Sequence, residues 1–142
     1  MTWQKDLLSL ITKSKDEKMA VAVDTSTNEY PVETIRNILS LFNEVQKKTP
    51  LIFADYKIRE ITDTAKVTEI PLMSHGKASY TDTLEWAKEQ KIDKLFYITD
   101  VTGYFWEGLE INYDVIWLIP DKFKPQVPFG KSLNLVRQSN KK

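Results

Sequence analysis

The chain has no cysteine among its 142 residues, which excludes disulfides, thiolate metal sites and cysteine nucleophiles. It has one histidine, His75, in a polar stretch read as a solvated loop, so no histidine is placed to act as a base. Only four glycines are present, and they form no phosphate-cradling loop of the Walker type. Net charge is also missing: 20 basic and 20 acidic side chains cancel, leaving no electrostatic footprint for nucleic acid or an anionic membrane. No apolar run is long enough to span a bilayer. The N-terminal stretch is too short and too charged, and it lacks the apolar core of a signal peptide. A cytoplasmic location is the expectation that follows.

What is present is ordinary for a globular domain, with 42% hydrophobic and 28% charged residues, and the length suits one domain with one core. The spacing predicts a short amphipathic helix over residues 3–15, with Trp3, Leu7, Leu8 and Ile11 on one face. Met19 to Asp24 (MAVAVD), Leu51 to Tyr56 (LIFADY), Lys94 to Asp100 (KLFYITD) and Asp114 to Pro120 (DVIWLIP) read as buried strands, and Ser132 to Val136 as a last short one. Lys57 to Pro71 holds alternating pieces such as Lys66-Val67-Thr68-Glu69-Ile70, which suggest an antiparallel edge strand. Between them, a helix starts near Pro31, capped from Ser26 to Asn28, and carries Val32, Ile35, Ile38, Leu39, Phe42 and Val45 at helical spacing. A second helix begins near Thr81 and Asp82, with Asp82 as its cap, and ends near Gln90. The tail, residues 137–142, reads as frayed.

Strands alternating with helices predict an α/β, Rossmann-like three-layer sandwich with a mostly parallel central sheet and one antiparallel edge strand. In such sheets, sites lie beyond the carboxyl ends of the strands where strand order reverses. Two of the predicted strands end in aspartate, Asp24 and Asp100, and chemistry is expected there.

Asp24-Thr25-Ser26-Thr27-Asn28 resembles the D-x-S-x-S motif of von Willebrand factor A (VWA) domains, with Asn28 in place of the second serine. Thr81-Asp82 is similar to the Thr-Asp of a glycine-rich second loop, although Ala78-Ser79-Tyr80 here replace glycines. Thr99-Asp100 resembles a Thr-Asp-Gly third element, with Gly103 two places late. Phe53-Ala54-Asp55, and Trp117 followed by Pro128-Phe129-Gly130, are similar to features of a bacterial and phage VWA-like subgroup associated with metallopeptidase-like regions. The resemblance covers about residues 19–136. It implies a metal-ion-dependent adhesion site holding Mg2+ or Mn2+ with Asp24, Ser26, Asn28, Thr81 and Asp100, Asp24 and Asp100 binding directly or through water.

Magnesium takes about six oxygen ligands and sheds its waters reluctantly. A set of hydroxyl and amide oxygens with two carboxylates leaves it uncompensated charge, which an acidic side chain of a protein partner completes. The reading is therefore a binding module rather than an enzyme. The resemblance also implies a larger assembly with an ATPase, and no nucleic-acid or membrane partner is expected. Two alternatives stand beside it: a scaffold that has lost its metal and binds partners by surface shape, and a metal-dependent phosphoesterase or nuclease using Asp24 and Asp100. The enzyme reading lacks a D-x-D motif, a G-x-S-x-G elbow and lysines paired with the acids. Asp55 reads as a partner for loop amides. Tyr104-Phe105-Trp106 reads either as an aromatic rim or as a segment tucked onto the core.

Overall fold

The computed structural model describes residues 3–26, 30–67, 69–72, 77–120 and 125–135. Asn28 and His75 lie outside the described residues. The elements follow in the order α1 (Trp3–Lys13), β1 (Met19–Asp24), α2 (Val32–Val45), β2 (Pro50–Ala54), β3 (Ile58–Asp63), α3 (Thr81–Glu89), β4 (Lys94–Ile98), β5 (Asp114–Ile119) and β6 (Lys131–Asn134).

The strands form one six-stranded sheet in the order β3-β2-β1-β4-β5-β6. All pairs are parallel except β2 with the edge strand β3. Helix α2 carries the chain outward from β1 to β2, whereas β4 returns to the other side of β1. Strand order thus reverses between β1 and β4, which places the carboxyl ends of these two strands at the switch point.

Both faces of the sheet are covered, which explains the unbroken apolar runs. Every residue of β1 is buried. Successive side chains alternate between two cores, because a strand has a side-chain period of two. Met19, Val21 and Val23 pack with Leu7 and Ile11 of α1 and with Ile35, Ile38, Leu39 and Phe42 of α2. Ala20 and Ala22 face the opposite core with Tyr80, Leu84 and Ala87 around α3 and with Tyr97 and Trp117. Fully burying a Leu, Ile or Phe stabilises by roughly 1.5–3 kcal/mol, so the apolar stripe of α2 fixes that helix firmly on its face.

The second core is built from aromatic rings. Tyr97 lies in register with Ala22 on one side and Trp117 on the other. The small alanine makes room for the phenol, and Tyr97 stacks on Trp117 at 5.6 Å between ring centroids. Tyr80 meets both rings edge-on. Trp117 Nε1 donates to the Phe129 carbonyl at 2.8 Å, and a Cβ on Gly130 would stand 2.2 Å from the Val115 carbonyl oxygen. The Trp117 and Pro128-Phe129-Gly130 features are thus one packing unit: ring, carbonyl and a glycine that lets the backbone close on β5.

Several local expectations are corrected. The antiparallel edge strand lies within the Lys57–Pro71 stretch, at its start, Ile58–Asp63, because residues straight after the Tyr56-Lys57 turn pair back on β2. Helix α1 stops at Lys13, and its inner face is the buried Leu7 and Ile11 with the half-buried Trp3 and Leu10 packed beside them. The N-cap of α2 is Pro31, whose side chain makes no cap bond, and Ser26 N turns back onto Asp24; Thr27 and Asn28 lie outside the described residues. The N-cap of α3 is Tyr80, and Asp82 sits in its first turn. The strands after Pro50, Lys94 and Asp114 end before the polar or proline residues assigned to them, and the last spans Lys131–Asn134.

Candidate functional site

The loops that leave β1 and β4 begin by extending the sheet. Thr25 N donates to the Ala54 carbonyl at 2.8 Å, and Thr99 N to the Leu118 carbonyl at 3.1 Å. These bonds hold Asp24 and Thr99 rigidly at neighbouring strand ends. Asp24 is 1% exposed, and a bare buried carboxylate is costly unless donors surround it. Here they do. Ser26 N donates to Oδ1 at 2.9 Å, and the Ser26 side chain also bonds the carboxylate. Thr99 Oγ1 donates to Oδ2 at 2.6 Å, and the Tyr30 hydroxyl reaches the same oxygen at 3.4 Å.

A second layer of bonds runs from the loop after β4. Asp100 N donates to the Tyr30 hydroxyl at 3.0 Å, and Gly103 N to the Tyr80 hydroxyl at 2.9 Å. Tyr80 lies 2.9 Å from Thr99 Oγ1, which also accepts from Val101 N at 3.2 Å. Thr99 has one hydroxyl proton and gives it to the ionised carboxylate, so Tyr80 is the donor in its bond with Thr99. Amides of the Asp100–Gly103 loop thus feed both phenols, and both phenols feed the Asp24 cluster.

Burial raises the Asp24 pKa above the ordinary carboxylate range; the bonds from Ser26 and Thr99 oppose this, and the nearby charge of Asp100 adds to it. Burial also pushes the Tyr30 and Tyr80 phenols upward, with the charges of Asp24 and Asp100 contributing. Both therefore remain protonated donors at neutral pH. Asp100 is half-buried, and its Oδ1 accepts from Thr102 N at 3.0 Å and Thr102 Oγ1 at 2.6 Å. Val101, the next residue, has φ of 62°, a left-handed conformation that a β-branched side chain rarely adopts. It occupies the place of the glycine in the Thr-Asp-Gly pattern and keeps that glycine's backbone shape. Gly103 has a different reason to be glycine, since a Cβ there would stand 2.7 Å from Ala78 Cβ, 2.8 Å from the Ala78 carbonyl oxygen and 2.9 Å from the Tyr80 ring.

The structure folds Ser26 onto Asp24, and Asp100 is linked to them through its backbone amide on the Tyr30 hydroxyl and through the interaction of its charge with that of Asp24. Thr81 follows Tyr80 in the neighbouring loop, but its hydroxyl oxygen accepts from Trp106 N at 2.9 Å and contacts Ser79 Oγ at 3.4 Å. Among the described residues no hydrogen bond joins Thr81 to the Asp24 carboxylate. Sequence reasoning did not single out Tyr30 and Tyr80, and it noted Thr99 only as part of a motif. The signal available was a tyrosine just before each helix that opens beside a motif. Asp55 takes Lys57 N at 3.2 Å, as read, and also the Arg59 guanidinium at 2.9 Å.

The aromatic run divides. Tyr104 and Trp106 are 71% and 61% exposed, while Phe105 packs edge-on against Phe129 at 5.4 Å. Ser79 pairs with Tyr104, and Tyr80 N donates to the Tyr104 carbonyl at 2.8 Å, so the two exposed rings belong to the loop that borders the site.

A three-layer α/β sheet with an acidic and hydroxyl cluster at its switch point defines the class of protein. Residues 19–136 match the family described as VWA-like domain (DUF2201), and the chain belongs to that family. No curated protein and no solved structure matches the chain. Among the described residues no helix is long and apolar enough to cross a membrane.

The donor set tests the fit to a divalent cation. Among the described residues, no three or more His, Cys, Asp or Glu side chains are grouped to hold a metal ion. An adhesion-type site, as the resemblance implies it, draws instead on hydroxyl oxygens and carboxylates, and Asp24 and Asp100, whose charges interact, would be its carboxylates. The oxygens of Asp24 already accept from hydroxyl and amide donors, so a role through water would require one of these donors to give way. Asp100 Oδ2 has no hydrogen bond among the described residues, and the Ser26 oxygen keeps lone pairs after donating its proton.

Proposed function

We propose that the chain is a protein-binding VWA-like module whose contact face is the carboxyl end of the sheet, with Mg2+ or Mn2+ as part of that face. The observation that carries this reading is the junction of Asp24 and Asp100 through Tyr30 at the switch point, with Ser26 folded onto Asp24. Ser26 and Asp100 would hold the cation directly and Asp24 through water, with Thr81 and Asn28 as further neutral donors. The cation would supply positive charge to bind an acidic side chain of the partner. Tyr104 and Trp106 border this face and offer amphipathic rings of the kind enriched in interface anchors. Binding rather than turnover is favoured because the groups around Asp24 are protonated phenols and hydroxyls, which serve as donors and not as bases. The family resemblance adds a larger assembly with an ATPase as the setting.

Melting temperature measured with and without millimolar Mg2+ or Mn2+ tests the reading, on wild type and on Asp24→Ala combined with Asp100→Ala. A ligand of the native state stabilises it by mass action, by about 2.7 kcal/mol at a concentration 100 times Kd. A rise confined to wild type supports the metal-dependent module.

A second reading, a metal-free scaffold that binds by shape, is favoured by the donors that already surround Asp24. It expects no rise in either protein.

A further inference from the structure

Tyr30 and Tyr80 approach the Asp24 cluster from opposite sides of the sheet. Tyr30 belongs to the core under α1 and α2, and Tyr80 to the core under α3. Their rings are anchored by packing, at 5% and 1% exposure, so each hydroxyl is presented to the cluster from a fixed base. Tyr30 gives its proton to Asp24 Oδ2, and Tyr80 gives its proton to Thr99, which gives its own to the same oxygen. Each phenol oxygen in turn accepts an amide N–H of the loop after β4. The arrangement satisfies Asp24 from within the protein, with neutral donors.

Such an arrangement competes with a cation. Water on a divalent ion is a strongly polarised donor, and a carboxylate in a role through water must receive its hydrogen bond. Here the acceptor positions of Asp24 are filled by Thr99, Tyr30 and Ser26. A metal-bound water would have to displace one of them.

We infer that Tyr30 and Tyr80 are positioning residues that set the cation affinity of the strand-end site, holding Asp24 in an organised state that needs no metal and weakening metal binding as a result. The inference rests on the proposed adhesion-type site, but it concerns residues outside that site's ligand set. Removing either hydroxyl leaves an oxygen-sized gap beside Asp24 or Thr99, where a metal-bound water can donate instead, and the remaining ring keeps the core filled.

The test is Mn2+ titration by calorimetry at neutral pH on the full chain, comparing wild type with Tyr30→Phe, Tyr80→Phe and Asp100→Ala. Tyr113→Phe is the control, because its phenol donates to the Leu84 carbonyl at 2.6 Å and not to the cluster. Melting in EDTA records the structural cost of each substitution separately. The expected result is Mn2+ bound about five- to tenfold tighter by Tyr30→Phe and by Tyr80→Phe, the size of one modest hydrogen bond, with Tyr113→Phe like wild type. Equal or weaker binding by both variants overturns the inference and leaves the adhesion-site reading standing. Binding by the two variants alone supports the inference and removes the metal from the wild-type function. Binding by none of the proteins overturns both. Should Tyr80→Phe fail to fold, Tyr30→Phe decides alone.

Discussion

Thr99 Oγ1 stands 2.6 Å from Asp24 Oδ2, joining the ends of two neighbouring strands across 75 residues of sequence. The bond is short because the acceptor is an ionised carboxylate in a dry place, where a charge-assisted contact is strongest. It also ties the β1 loop to the β4 loop, so the two halves of the site move as one.

Thr99→Val keeps the shape of the side chain and removes that donor. Loss of a hydrogen bond to a charged group costs about 1.5–3 kcal/mol, and the Tyr80 and Val101 donors lose their acceptor as well. Thr99→Ser restores the hydroxyl and is expected to recover most of the loss. Urea denaturation of the three proteins checks both.

At Val101 the expected order of substitutions is inverted. At a position with ordinary φ, alanine is more stable than glycine; at φ of 62° the Cβ crowds the following carbonyl at a cost of about 1–2 kcal/mol. Val101→Gly is therefore expected to be more stable than Val101→Ala, by about 1 kcal/mol after the entropy of glycine in the unfolded chain is deducted. Equal stability, or alanine ahead, would show that the loop relaxes to an ordinary conformation. Thermal unfolding of the pair gives the answer.

Gly103→Ala should destabilise by about 1–3 kcal/mol, the usual cost of overpacking, because one of the atoms its Cβ meets is the Ala78 backbone oxygen at 2.8 Å. The substitution also pushes on the Tyr80 ring that feeds Thr99. A change in near-ultraviolet circular dichroism from the cluster of Tyr80, Tyr97 and Trp117 is expected together with the stability loss.

Much of the architecture was legible because buried strands write themselves as apolar runs. Met19 to Asp24 is read to the residue, and the switch point follows from alternating strands and helices. The edge strand was located only to within Lys57–Pro71, because Ile58–Asp63, IREITD, is exposed over its middle and alternates no better than the stretch after it. Its pairing comes from the turn at Asp55, where the carboxylate gathers Lys57 N and Arg59, and no local pattern shows this. In the site, Asp24, Ser26 and Asp100 were legible as motif positions at strand ends. Tyr30 and Tyr80 were not, because a tyrosine before a helix reads as core; here each ring is core and each hydroxyl belongs to the cluster.

The acid limb of the stability curve should carry the signature of Asp55. Its burial opposes ionisation, but the Arg59 guanidinium and the Lys57 and Tyr56 amides outweigh that and hold the carboxyl below its ordinary value of 3.8. The folded state thus binds this proton less readily than the unfolded chain. Its contribution to stability is complete above the unfolded value and disappears as pH falls through the lower, folded one. Asp24 has the opposite sign: its raised folded pKa makes its contribution decline as pH climbs from 3.8 toward the folded value. Arg59→Met removes the partner of Asp55 and leaves Asp24 untouched, so the variant should lose stability at neutral pH and show a shallower decline below pH 4 than wild type. Urea midpoints measured from pH 2 to 7 would show it, and parallel curves for the two proteins would mean that the loop amides alone hold Asp55 ionised.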